Sequence, residues 1–200
     1  NRIAVLAKNL VNYSVKAGKG DKVLIEAYDV DSALVTQLIK EIRKNGAYAF
    51  VEMYDSKVQR RLLMDADETY CSLLTKYNRV RMDDMDCYIG IRGAYNSFES
   101  SDVPGEKMDM YSRIYSHPIH HDLRVCKTRW VVLRYPNDSM SQLAGMSTEK
   151  FEDFYFNVCN LDYSKMDRAM TPLVELMNKT DRVRIVAKDT DLTFSIKGIG

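Results

Sequence analysis

The sequence predicts an α/β fold: a mostly parallel sheet with helices on both faces, Rossmann-like and three-layered, followed by the start of a second, β-rich domain. Three observations carry this. Four short apolar runs alternate with helical patterns along most of the chain. Each run is mostly apolar at odd and even positions alike, as a sheet covered on both sides requires. Near the end, two strand-like runs follow one another with no helix between them.

The first run, Lys22–Ala27 (KVLIEA), follows the turn signal Gly18-Lys19-Gly20-Asp21. The second, Tyr48–Met53 (YAFVEM), follows Asn45-Gly46, a pair that ends a helix on a left-handed residue. Between them, Ser32–Lys44 places Leu34, Leu38 and Ile42 on one stripe beside Val35 and Ile39, with Asp31 or Ser32 as N-cap. A strand–helix–strand unit of this kind is a right-handed parallel crossover by default. Cys87–Ile91 (CYIGI) and Arg129–Leu133 (RWVVL) complete the set. Further helices are expected over Lys57–Met64, Glu68–Met82, Glu106–Tyr115, Thr148–Val158 and Lys165–Lys179. The last opens on Ser164-Lys165-Met166-Asp167, a variant capping box, and puts Met166, Ala169, Met170, Leu173 and Met177 on one face. Pro172 should kink or restart it. A fifth strand, Arg182–Ala187, leads through a KDTD turn into Leu192–Ile196. The domain boundary is therefore expected near Lys188, with 1–188 an α/β domain and 189–200 the first strand of a second, truncated one.

With 200 residues the chain is long enough for a real core. A net charge of +1, with acids and bases interleaved, argues against a nucleic-acid or acidic-membrane surface, either of which would show a basic excess. No apolar run approaches membrane-spanning length, and the N-terminus lacks a signal-peptide core. The four cysteines lie far apart with no CxxC pair. Buried free thiols are expected, in keeping with a reducing cytoplasm.

No residue of this chain stands out as catalytic or as a ligand in a recognised metal motif. His117-Pro118-Ile119-His120-His121 gathers all three histidines, but it matches none of the usual zinc spacings and begins at an expected proline turn, so a surface or packing role is the reading. Gly90-Ile91-Arg92-Gly93 closes a strand without the glycine fingerprint of a dinucleotide site and reads as close packing plus a turn. The carboxyl ends of the predicted strands carry Tyr28, Asp29, Tyr54, Asp55, Arg92, Arg134 and Tyr135. Ligands of open α/β sheets bind beyond that edge, which makes these seven a candidate cleft-facing rim. The plainer reading is that the aspartates cap the following helices and the arginines neutralise them. The methionine stripes read as core filler. Phe151, Phe154, Tyr155 and Phe156 cannot all share one helix face, so one of their faces should meet something other than the sheet.

Several contiguous blocks resemble a known family. They are Tyr88-Ile89-Gly90-Ile91-Arg92-Gly93, Trp130-Val131-Val132-Leu133-Arg134-Tyr135-Pro136, and Gln142-Leu143-Ala144-Gly145-Met146. Further on come Phe151-Glu152-Asp153-Phe154-Tyr155-Phe156, Leu161-Asp162-Tyr163-Ser164-Lys165-Met166, and Thr190-Asp191-Leu192-Thr193-Phe194-Ser195-Ile196-Lys197-Gly198. In that order they are similar to the N-terminal domain of the thermophilic-type metalloaminopeptidases, metallopeptidase family twenty-nine. The resemblance implies a cytoplasmic, homodimeric enzyme that removes N-terminal residues from peptides. It also implies two divalent metal ions (zinc, cobalt or magnesium), held by Glu, His and Asp of a C-terminal domain. None of those ligands can be placed on this chain, so the 200-residue piece is expected to bind no catalytic metal and to be inactive alone. The alternative is a stand-alone α/β module that binds small ligands at the strand-end rim.

Overall fold

The structure, a computed structural model, describes residues 1–199 and divides into two compact units, Asn1–Leu161 and the segment from Asp162 onward. In the first unit, β1 (Lys22–Tyr28), β2 (Tyr48–Tyr54), β3 (Cys87–Arg92) and β4 (Arg129–Arg134) form a parallel sheet in the order β2-β1-β3-β4. The crossovers are α2 (Ser32–Lys44), the pair α3 (Ser56–Asp65) and α4 (Glu68–Met82), and α5 (Gly105–Tyr111) with its continuation. The α/β class and the parallel sheet covered on both faces are as the sequence indicates.

Strand periodicity assigns the two faces. Val23, Ile25 and Ala27 of β1 and Cys87, Ile89 and Ile91 of β3 share one face. They pack with Leu34, Leu38 and Ile42 of α2, with Leu6, Leu10 and Val11 near the N-terminus, and with Tyr155 and Phe156 of α7 (Thr148–Cys159). Leu24 and Tyr88 point the other way and join Met82, Met85, Tyr115, Ile119 and Leu123. Phe154, between the buried aromatics of α7, is exposed.

Several local expectations change. A helix not anticipated from sequence, α1 (Arg2–Lys8), is capped by Asn1, whose side chain accepts from Ile3 N at 3.1 Å, and continues as a π-helix over Asn9–Ser14. A second, α6 (Asp138–Leu143), starts on Asn137. The helix expected to stop at Tyr115 runs on from α5 as a π-helix over Ser112–Val125. Pro118 thus lies inside a helix and not at a turn; the wider coil relieves the clash of its ring with the preceding turn. No disulfide joins the four cysteines, but only Cys71 and Cys87 are buried, while Cys159 is half-buried and Cys126 exposed. Cys126 follows the last turn of the π-helix and precedes β4, so it escapes the core.

In the second unit, α8 (Tyr163–Lys179) is one helix with Pro172 inside it. Its N-cap is Asp162, not Ser164: the Asp162 carboxylate accepts from Lys165 N at 3.2 Å, and the Ser164 hydroxyl is already turned onto that carboxylate at 2.6 Å. The expected apolar stripe of α8 is exposed, with Met170 and Leu173 more than half accessible. β5 (Arg182–Ala187) and β6 (Thr190–Ser195) pair as an antiparallel hairpin whose turn, Lys188-Asp189, takes a positive φ of 58° at Asp189. The sequence-based boundary at Lys188 falls in that turn.

Candidate functional site at the carboxyl edge of the sheet

Strand order reverses between β1 and β3: β1 is followed in the chain by β2 on one side, and β3 lies on its other side. In open α/β sheets this reversal opens a crevice beyond the strand ends. Gly93 sets its geometry. Its amide donates to Tyr28 O at 2.8 Å, and a Cβ there would stand 2.3 Å from Asp29 O, so only glycine lets the two chain segments meet. Asp29 itself turns with φ 48°.

On the face shared by Leu24, the alternation continues into Glu26 and Tyr28 on β1, Tyr88 and Arg92 on β3, and Glu52 and Tyr54 on β2. Glu26 is fully buried. Its Oε1 accepts from Arg124 Nη2, its Oε2 accepts from the Tyr88 hydroxyl at 2.7 Å, and that hydroxyl accepts from Arg92 Nη2 at 2.6 Å. Arg124 lies over the Tyr88 ring at 4.6 Å and Arg92 over the Tyr28 ring at 4.4 Å. Tyr28 stacks on Tyr54 at 4.7 Å, and the Tyr54 hydroxyl donates to Glu52. Gly90 makes room for this network, because a Cβ there would come within 3.0 Å of both Tyr88 Oη and Val132 Cγ2.

Against the network lies a cavity of about 240 Å³ lined by Tyr28, Arg92, Tyr111, Tyr115, His120 and Arg124, with Ser116 and Ile119 completing the wall. Burial pushes the Tyr28 and Tyr111 phenols well above the usual range and raises that of Tyr115, so they stay neutral. Burial, then the charges of Arg124 and Arg92, hold the His120 imidazole below its usual value.

The other rim residues go elsewhere. Asp29 accepts from Ser56 N at 2.8 Å and from the Ser56 hydroxyl, while Asp55 caps α3 by accepting from Lys57 N at 2.8 Å and Val58 N at 3.2 Å. Tyr135 turns to the opposite face against Tyr155 and Phe156, where burial pushes its phenol up to about 12. Together with Asp29, Asp31, Asp138 and Glu152 it lines a second, acidic hollow of about 480 Å³. Arg134 lines a third hollow with Ser97, Met140 and Phe151. The structure therefore gathers Tyr28, Tyr54 and Arg92 in one network, brings Asp29 and Tyr135 to a second hollow, and sets Asp55 and Arg134 apart from both. Sequence reasoning missed Glu26, Tyr88, Tyr111, Tyr115, His120 and Arg124 as members of one cluster. The available signal was a lone acid inside an apolar strand, since such a group must be paired.

Among the described residues, His117, His121 and Asp122 bring three ligating atoms within 4.8 Å of one another. The two rings stack at 4.8 Å, and His121 Nδ1 lies 3.0 Å from Asp122 Oδ1. All three side chains are exposed. One carboxylate cannot both bridge and terminate a pair of cations, so this set does not fit the two-metal arrangement that the resemblance implies.

The family model described as "Thermophilic metalloprotease (M29)" matches residues 1–198. No curated protein matches the chain. Among solved structures, wild-type AmpT from Thermus thermophilus is similar with a TM-score of 0.74 at 16% identity, over 97% of this chain and 53% of that one. The likeness is one of fold, and the chain spans about half the length of AmpT. The crystal structure of CurK enoyl reductase aligns with a TM-score of 0.30 at 11% identity, over 80% of this chain and 50% of that one, and carries no argument.

Proposed function

The chain belongs to the thermophilic metalloprotease (M29) family, and from that premise we propose that it is the N-terminal α/β part of a metal-dependent aminopeptidase acting on peptides. The observation that carries this is the family match over nearly the whole chain, joined to a fold that accounts for about half of AmpT. The whole enzyme would hold two divalent ions, zinc, cobalt or magnesium. Such a pair supplies an activated water and charge stabilisation for the tetrahedral intermediate. Its ligands would lie outside this chain, in a C-terminal domain whose first strand falls in 189–200. No step is assigned to residues of this chain; the strand-end rim, with Tyr28, Tyr54 and Arg92 at its centre, would wall one side of the substrate cleft. The exposed apolar residues of α8, Met166, Met170, Leu173 and Met177, support contact with a further domain. Cytoplasmic location and homodimerisation enter as part of the same family-based reading. Among the described residues no helix is long and apolar enough to cross a membrane.

A second reading, a stand-alone module for small ligands, is favoured by the cavity beside Arg92 and Arg124. One experiment separates the two: hydrolysis of a leucine anilide by the 200-residue chain and by the product of its longer reading frame, with and without chelator. The proposal expects activity in the longer protein alone, lost on chelation. Chelator-sensitive trimming by the 200-residue chain would overturn it, and so would a reading frame that stops at Gly200.

A further inference from the structure

The hollow beside Arg92 and Arg124 differs from a packing defect in three respects. It lies at the reversal of strand order, where this class of sheet presents ligands. Its charges do not cancel, because two guanidiniums face the carboxylate of Glu26, whose two oxygens are already engaged by Arg124 and Tyr88, while Glu52, the other acid on this face, is paired with Arg81. Arg124 is only 5% exposed, yet its Nε has no hydrogen-bond partner. A buried guanidinium N–H left unmade is costly, and an oxyanion is the partner it suits best.

We propose that this cavity binds a small monoanionic carboxylate, with its oxygens toward Arg92 and Arg124 and its apolar remainder against Tyr28, Tyr111, Tyr115 and Ile119. The surplus of one positive charge balances a monoanion, whereas a dianionic phosphate would leave net negative charge in a poorly solvated site. Aromatic walls suit a ligand with a carbon skeleton better than a free inorganic ion. About 240 Å³ admits a carboxylate with a short side chain. An amino acid whose amine is acylated, as at the carboxyl end of a peptide, belongs to this class, but the binding claim stands apart from the peptidase reading and is tested without hydrolysis.

The groups facing the hollow are Glu26 and Tyr28 of β1, Tyr88 and Arg92 of β3, and Tyr111, Tyr115, His120 and Arg124 of α5 and its continuation, with His121 beside them. A bound carboxylate would offset the two guanidiniums that act on His120, and the imidazole should then titrate at higher pH.

Nitrogen-15 NMR of the chain, titrated with N-acetylleucinate and separately with inorganic phosphate, reads this directly. The Arg124 Nε–H and His120 signals should shift saturably with N-acetylleucinate, His120 should titrate higher in the complex, and phosphate should bind at least about tenfold more weakly. Arg92→Gln should weaken binding by about tenfold or more, the loss of one charge-assisted contact. Ser116→Phe fills the hollow without touching the charge network, and should abolish the shifts while the rest of the folded spectrum persists. No saturable shift with either anion, or unchanged binding in Ser116→Phe, would overturn the site. Tighter binding of phosphate than of N-acetylleucinate would overturn the carboxylate assignment.

Discussion

On one face of the sheet, Val23, Ile25 and Ala27 of β1 meet Leu34, Leu38 and Ile42 in an apolar cluster. On the other, one residue out of step, Leu24 is followed by Glu26 and Tyr28, and a buried arginine comes down onto them. The same strand thus serves two environments. Each fully buried Ile or Leu of the first face contributes roughly 1.5–3 kcal/mol by leaving water. The charged pair of the second face gains far less, because its mutual attraction is largely spent on desolvation. What it does provide is intolerance of half-measures, and this makes the two faces separable by mutation.

The largest expected effect is on the charged face. Arg124→Met leaves Glu26 buried without its closest counter-charge and should lower the unfolding free energy by about 3–5 kcal/mol. The double variant Arg124→Met with Glu26→Leu removes both charges and should recover part of that loss, since well-packed apolar residues commonly replace a buried pair at little cost, whereas Arg92 and the Tyr88 hydroxyl lose the carboxylate they share. Urea denaturation of wild type, single and double variants measures it. A double variant as unstable as the single would mean that the network contributes through packing and not through charge compensation.

The contrast also explains what was legible in the sequence. Strand positions were legible because each face of β1 and β3 is mostly apolar, and the ends of α2 because Asp31 and Asn45-Gly46 carry local cap signals. The family was readable from blocks such as YIGIRG and RWVVLRYP. The cluster around Glu26 was not, since Arg124 lies 98 residues away and arrives on a π-helical run that no local pattern announces. The rim was read from position alone. Position cannot distinguish Tyr28, which points into the network, from Tyr135, one residue beyond its strand and turned to the opposite face.

A smaller effect tests whether Asp55 is a rim ligand or a cap. Its carboxylate takes two backbone amides at the start of α3, so Asp55→Ala should cost about 0.5–2 kcal/mol in stability. It should leave carboxylate binding beside Arg92 unchanged, because Asp55 does not line that cavity. Denaturation midpoints together with the NMR titration decide the matter. Unchanged stability with weakened binding would return Asp55 to the site.

The smallest effect belongs to the opposite, amino end of the sheet, where Asp21 accepts from Gly18 N at 2.7 Å and from Arg129 Nη2 at 2.6 Å. Burial pushes its carboxyl up, but these two hydrogen bonds and the Arg129 charge outweigh it and hold the group below the usual carboxylate range. A carboxylate depressed on folding adds stability that is fully present above its unfolded value and is lost as pH falls through the folded one. Asp21→Asn should therefore destabilise the protein at neutral pH by no more than about 1 kcal/mol, as befits a partly exposed pair. The gap from wild type should close as pH drops below the ordinary aspartate range. Stability curves of the two proteins from neutral to acid pH test this, and a gap that widened in acid would reverse the sign of the argument. The contrast with Arg124 is then quantitative: an ion pair at the solvent edge should fade with pH and cost little, whereas one under the sheet should cost several times more when broken.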